Sequence, residues 1–182
     1  MDRQSRGEAD PGKIGGAGSA TPAGPPATAP PPAGRWETPT TPRYHGEPFN
    51  EQYERWVRTS TGGPPDREYL VEHGGERAWF DGTATESRGG KPTEVLIDAK
   101  GRYKQFVDPE TGAFRTWWER SKKGGLPAML AVARRQVRVA DGRPVEWWVA
   151  EPEAARAFGR AILGIRELRG RVRAVYKPMP DQ

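Results

Sequence analysis

TEVLIDAKG, residues 93–101, holds an apolar run from Val95 to Ile97 that passes straight into a carboxylate, an alanine and an ammonium. Strand side chains alternate between faces, so Glu94, Leu96, Asp98 and Lys100 share one face and Val95, Ile97 and Ala99 the other. The continuous apolar run is that of a central strand buried on both sides. A carboxylate and an ammonium two residues apart at the end of such a strand are costly to bury unless they pair or serve a site. Just upstream, AWFDG (78–82) sets a second carboxylate, Asp81, after another apolar run, with Gly82 permitting a bend or bulge. Two aspartates on adjacent strands suit a hard divalent cation, because Mg²⁺ takes one or two carboxylates and fills its remaining positions with water and phosphate oxygens. A lysine two residues along suits the orientation or deprotonation of water, or the balancing of developing charge. The same residues also read as an ordinary strand-edge pair, with Asp81 capping a turn. D-x-K alone is too common a pattern to separate the two readings.

Working outward, PFNEQYERWVRT (48–59) reads as a helix with Asn50 as its N-cap and Tyr53, Trp56 and Val57 on one apolar face. TGGPPD (61–66) breaks it. Three strands follow, at 68–73, 77–86 and 93–100, separated by glycine-containing turns. Residues 101–124 contain a turn at DPETG and a short element of undecided type. A helix over 126–140 gathers Leu126, Leu130, Ala133, Val137 and Ala140 on one face, with Arg134, Arg135 and Arg138 on the far side and Gln136 at the edge of the stripe. A turn at DGRP, a strand at VEWWVAE, a helix from Pro152 and a closing strand RVRAVYK complete the order. These elements predict an α/β fold with a mixed central sheet flanked by helices.

The chain has 182 residues, with 23 Gly and 19 Pro, and the Pro is unevenly placed. Residues 1–42 hold 9 of the Pro, are charge-neutral and carry almost no large apolar side chain. This stretch is expected to be a disordered, partly polyproline tail. Residues 43–182 hold six of the seven Trp and are expected to form one domain. Within it, residues 43–98 carry a net −4 and residues 99–182 a net +9. An acidic part followed by a basic part suits a protein that holds a cation and a polyanion together. It equally describes an unevenly charged solvated surface. With no Cys, disulfides, thiolate zinc sites, iron–sulfur clusters and a thiol nucleophile are excluded. Neither G-x-S-x-G nor a Walker A loop is present. His45 and His73 fall in or near loops and are not expected to be catalytic. The pairs Trp117–Trp118 and Trp147–Trp148 read either as base-stacking platforms or as one core and one half-exposed ring each. No apolar run is long enough to span a membrane. No apolar stretch follows the N-terminus, so a conventional secretory signal is not expected.

The blocks YERWVRTSTG, EYLVEHGGERAWFDG, LIDAKG, ARRQVRVADGRPVEWWVAEPEAA and VRAVYKP resemble, in order from about Tyr53 to Tyr176, the PD-(D/E)xK nuclease superfamily. More narrowly they are similar to the type 5 restriction-endonuclease-fold toxin domains of bacterial polymorphic toxins. The resemblance implies a restriction-endonuclease-like fold with an αβββαβ core and a metal-dependent nuclease acting by in-line attack of water on a phosphodiester. By its motifs, Asp81 matches the first metal-binding acid and Asp98 the second, where the family more often has Glu. Lys100 matches the catalytic lysine, and Gln136 matches the helix glutamine that sits near it. Glu54 and Glu68 are further candidate metal contacts, and both also read as plain structural acids. Arg134, Arg135, Arg138 and Lys104 are candidate nucleic-acid contacts, with a solvated helix face as the other reading of the arginines.

The cofactor implied is Mg²⁺, with Mn²⁺ as a substitute. The partners implied are nucleic acid, DNA before RNA, and a cognate immunity protein. A secretion or contractile-injection apparatus is expected to engage the N-terminal tail, and no membrane is expected as a partner. Synthesis in the bacterial cytoplasm, export by a non-Sec machine and action in the target-cell cytoplasm follow as expectations. Two other classes remain open on the sequence: a non-catalytic nucleic-acid-binding or interaction module on the same fold, and a housekeeping repair or restriction nuclease.

Overall fold

The computed structural model describes residues 33–39 and 48–180. His45 and the expected tail, apart from 33–39, lie outside the described residues. That short piece corrects the expected domain boundary, because Gly34–Glu37 is a strand, β1, paired antiparallel with β2 (Glu68–His73). Three contacts explain the pairing. Trp36 packs against Tyr69 with ring centroids 5.2 Å apart, the Gly34 amide donates to the Tyr69 hydroxyl, and the Ala33 amide donates to Glu94. Gly34 is required by close approach, since a Cβ there would lie 2.0 Å from the Leu70 carbonyl oxygen.

Helix α1 (Pro48–Ser60) follows. It begins three residues earlier than an Asn50 cap requires, so Asn50 is helical. Its Oδ1 instead accepts from the Arg102 amide at 2.9 Å. The same oxygen would lie 2.0 Å from a Cβ on Gly101, so any larger residue directly after Lys100 would displace the Asn50 amide. β2 pairs with β3 (Glu76–Phe80), and the strand expected over 77–86 is in fact two: the chain bends at Asp81 and resumes as β4 (Gly82–Arg88). The Asp81 amide donates to the Ile97 carbonyl across 2.8 Å, which ties the bend to β5 (Lys91–Lys100).

The sheets are three-stranded, β1-β2-β3, and four-stranded, β4-β5-β6-β7, where β6 is Val145–Val149 and β7 Val172–Tyr176. β4 is antiparallel to β5, whereas β5, β6 and β7 run parallel. Parallel neighbours need crossovers. The first carries a 3₁₀ turn (Lys104–Phe106), α2 (Thr116–Glu119) and α3 (Leu126–Ala140); the second carries α4 (Pro152–Leu163). α3 opens with Pro127 in its first turn and stops where Asp141 (φ 49°) and Gly142 (φ 80°) turn left-handed.

β5 is the central strand, buried from Glu94 to Lys100. Its two faces feed two apolar clusters, as period-two alternation requires. Leu96 joins the larger one with Trp147, Phe158 and the apolar side of α3, while Val95, Ile97 and Ala99 pack with Tyr53 and Val57 of α1. Trp147 is fully buried and meets Phe158 edge-on, and Trp118 is buried against Phe114, with Trp117 left exposed and Trp148 half-buried. Each tryptophan pair thus places one ring in the core. The arrangement is the mixed α/β fold of a restriction-endonuclease-like domain, with β5 positioned so that its C-terminal end carries buried charge.

Candidate active site

At that end of β5 the pleat turns Asp98 and Lys100 toward α3. Lys100 Nζ donates to Asp98 Oδ2 at 2.5 Å and to the Ala99 carbonyl at 3.3 Å. Parallel pairing sets Asp98 beside Trp147 of β6, and the Lys100 ammonium lies 5.0 Å from the centroid of that ring. Gln136 of α3 is 1% exposed. Its Oε1 accepts from Trp147 Nε1 at 2.8 Å and its Nε2 donates to Asp98 Oδ2 at 2.5 Å. An indole N–H only donates, so it fixes which way the amide points and aims the Gln136 NH₂ at the carboxylate. Gln136 therefore reaches Lys100 through Asp98, not by direct contact. Asp98 Oδ1 takes no hydrogen bond from a described residue and remains available.

Asp81 enters from the bend between β3 and β4. Its Oδ2 accepts from the Ala99 amide at 2.9 Å and its Oδ1 from Arg58 Nη2 at 3.1 Å. Arg58 is the residue that sequence reasoning missed. It lies in the last turn of α1, 6% exposed. Nη2 also reaches Glu54 Oε2 at 3.0 Å and lies 3.7 Å from Glu68 Oε1, while Nη1 donates to the Pro65 carbonyl. One guanidinium thus gathers three acids from α1, β2 and the bend. The signal available in sequence was the Glu54–Arg58 spacing of four on a helix.

Glu54, Asp81, Asp98, Lys100, Tyr103 and Gln136 line one cavity of about 250 Å³, closed on the α3 side by Met129, Val132 and Arg135. Burial, and then the charge of Asp98, push the Asp81 carboxyl above its usual range against the pull of Arg58 and the Ala99 amide. Burial first and the Asp81 charge second push Glu54 up to about 9. Burial pulls the Lys100 ammonium down, but Asp98, Tyr103 and Asp81 together outweigh it and raise Lys100 above its usual value. The site therefore holds a firmly charged lysine beside carboxylates that repel one another.

This donor set fits a hard divalent cation. The oxygens are carboxylates, their crowding is what a cation relieves, and Asp81 and Asp98 keep lone pairs unused by protein donors. Among the described residues no three His, Cys, Asp or Glu side chains form a metal-holding group. The protein's contribution to such an ion would be the aspartate pair, leaving positions for water and phosphate oxygens, as Mg²⁺ tolerates.

The other sequence candidates divide. Glu54 lines the cavity, with Oε2 on Arg58; Glu68 is buried behind Arg58 and is not among the lining residues. Of the basic residues singled out for nucleic-acid contact, Arg135 alone lines this cavity. Arg134 pairs with Glu167 at 3.3 Å, Arg138 with Glu76 at 2.7 Å and Lys104 with Glu153 at 3.4 Å. His73 sits on the surface, 3.5 Å from Asp141. No helix among the described residues is long and apolar enough to cross a membrane.

No curated protein matches the chain. The family model for restriction endonuclease fold toxin 5 matches residues 51–152, more than half of the chain and a span that includes Glu54, Arg58, Asp81, Asp98, Lys100 and Gln136. With the mixed sheet and this charged cavity at its centre, the chain belongs to the restriction endonuclease fold toxin 5 family.

Proposed function

We propose that this toxin-family chain is a metal-dependent nuclease that hydrolyses phosphodiester bonds in nucleic acid, DNA in preference to RNA. One observation carries the reading: Asp81, Asp98, Lys100 and Gln136 come from the β3–β4 bend, β5 and α3 to line a single cavity with buried charge. Structural ion pairs do not need a cavity, whereas a reacting phosphate does.

Asp81 and Asp98 would hold Mg²⁺ or, in its place, Mn²⁺. When bound, the ion supplies Lewis-acid activation of water and neutralises charge on the phosphate. The chain's own residues do the rest. Lys100 has three N–H groups and gives two of them to Asp98 and Ala99. The third is available to orient the attacking water or to meet the charge that builds on the phosphate oxygens. Gln136 holds Asp98 in place through the Trp147 anchor, and Arg58 holds Asp81 and Glu54. Arg135, at the cavity wall, meets the substrate backbone.

The test incubates the purified full chain with supercoiled plasmid and with total RNA, in Mg²⁺, Mn²⁺ or EDTA, beside Lys100→Ala and Asp98→Ala. Cleavage in Mg²⁺ that is lost in EDTA and in both folded variants supports the reading. Full activity of the variants, or indifference to EDTA, refutes it.

The biological setting we infer is an antibacterial effector, made in the producing cell's cytoplasm, exported by a non-Sec machine and active in the target-cell cytoplasm. A cognate immunity protein, acidic toward the basic half of the chain, would protect the producer. Because β1 belongs to the fold, the test of a delivery role for the N-terminal segment deletes residues 1–32 and leaves 33 onward intact. Unchanged export of that deletion removes the delivery role.

A further inference from the structure

A second cavity, of about 670 Å³, lies on the other flank of α3, walled by Arg134, Arg138, Arg166, Arg169 and Arg171 with Glu167 as its one acid. Helix residues advance by about 100° each. Met129, Val132, Arg135 and Gln136 therefore face the catalytic cavity, while Arg134, Val137 and Arg138 face the opposite way. Arg135, Arg138 and Arg134 form a continuous ridge over the exposed side of the helix between the two.

The loop from α4 to β7 builds the far wall. Leu168 is fully buried and anchors it. The Leu168 and Arg169 amides donate to the Ile165 carbonyl, and the Arg171 and Val172 amides donate to that of Leu168. This tight winding, with Gly170 at φ 75°, leaves Arg166, Arg169 and Arg171 on the surface. Arg169 Nε donates to the Leu163 carbonyl. Arg134 and Arg138 have acidic partners in Glu167 and Glu76. Arg166 and Arg171 have none among the described residues. Five guanidiniums against two acids, Glu167 and Glu76, leave an excess of positive charge, and a polyanion that lies across them is the ligand that relieves the repulsion. The bidentate fork of arginine matches phosphate oxygens.

We infer that this cavity is a phosphate-backbone exosite: it binds nucleic acid on the flank of α3 opposite the catalytic cavity, and the strand passes between the two over Arg135 and Arg138. The inference rests on the nuclease reading for the identity of the polyanion, but its test does not require cleavage. Binding of a fluorescein-labelled 20-base-pair DNA, and of an RNA hairpin of similar charge, is followed by anisotropy in EDTA as salt is varied. The variants are Arg166→Gln with Arg171→Gln and, as a control that removes the same charge elsewhere, Arg55→Gln with Arg77→Gln. Arg55 and Arg77 are exposed and line neither cavity.

Each phosphate contact contributes close to one unit of slope in log K against log salt. The exosite variant should therefore lose a slope of about 2 and bind at least about tenfold more weakly at moderate salt, with an unchanged urea midpoint. The control should hold the wild-type slope. Equal weakening by the control, or no weakening by the exosite variant, overturns the inference. So does failure of the wild type to bind either nucleic acid. Nucleic-acid binding that survives in the exosite variant while binding of poly-glutamate is lost also overturns it, and gives the face to an acidic protein. Loss of DNA binding in the exosite variant, with no cleavage by any form in Mg²⁺, would uphold the exosite and sink the nuclease reading alone.

Discussion

The Arg58 guanidinium donates to Oδ1 of Asp81 across 3.1 Å, with both side chains buried. The pair joins the end of α1 to the bend between β3 and β4, and it sets the Asp81 carboxylate on the wall of the charged cavity. Burying two charges is not in itself stabilising, but removing one partner strands the other.

Arg58→Met therefore should destabilise the metal-free chain by about 3–5 kcal/mol, because it takes the cation from Asp81 and Glu68 and a hydrogen-bond donor from Glu54. Arg58→Lys keeps the charge but lacks the fork that reaches several acids at once, and should recover only part of the loss. Urea unfolding in EDTA reads both. A Met variant as stable as wild type would show that the guanidinium organises nothing.

The Asp98–Lys100 pair should show strong coupling for the same reason. Asp98→Asn and Lys100→Met each leave a buried charge without its contact partner. Each single change should cost about 3–5 kcal/mol, and the double change much less than their sum. A double-mutant cycle by urea unfolding measures the coupling. Additivity would mean that the 2.5 Å contact carries no net interaction.

These two pairs differ in how far sequence discloses them. Asp98 and Lys100 are two residues apart in a strand whose alternation is fixed by its apolar neighbours, so their shared face follows from local geometry. The split of β5 into a Leu96 face and a Val95–Ile97–Ala99 face follows in the same way. Arg58 meets Asp81 across 23 residues, and no local period encodes that meeting; only the Glu54 partner one turn back is local. β1 was hidden for a related reason. Its four residues sit in a stretch whose composition speaks for a tail, and their pairing depends on Tyr69 and Glu94 far along the chain. The division of the α3 arginines between two flanks and their acidic partners also depends on tertiary neighbours, Glu76 and Glu167, that periodicity cannot supply.

Gln136 links the core to the site, and its replacement should separate the two roles. Gln136→Leu keeps the volume but leaves the Trp147 N–H buried without an acceptor and Asp98 without its NH₂ donor. A cost of about 1–3 kcal/mol is expected. Trp147→Phe removes that donor but opens a cavity in the core, so the pair is read from a cycle: the double variant should cost less than the sum of the two single changes. Thermal unfolding of wild type, both single variants and the double variant tests this. Additivity would place the penalty elsewhere.

Glu54 sets how metal-free stability depends on pH. Burial, followed by the Asp81 charge, pushes its carboxyl up to about 9 in the folded chain, whereas an unfolded glutamate titrates near ~4.3. Between those values the folded chain keeps a proton that the unfolded chain gives up. Its contribution to stability is therefore fully present below the unfolded value and is lost as pH rises through the folded one. Glu54→Gln is neutral throughout and removes this dependence. In EDTA, the stability of the Glu54→Gln variant relative to wild type should increase from pH 5 to pH 9. Added Mg²⁺ should reduce that difference, because an ion that binds only the folded state stabilises it and lowers the cost of ionising a carboxylate on the cavity wall. Urea midpoints for both proteins at pH 5, 7 and 9, with and without Mg²⁺, decide it. Parallel curves for wild type and Glu54→Gln in EDTA would show that Glu54 ionises in the folded chain as an ordinary surface carboxylate does.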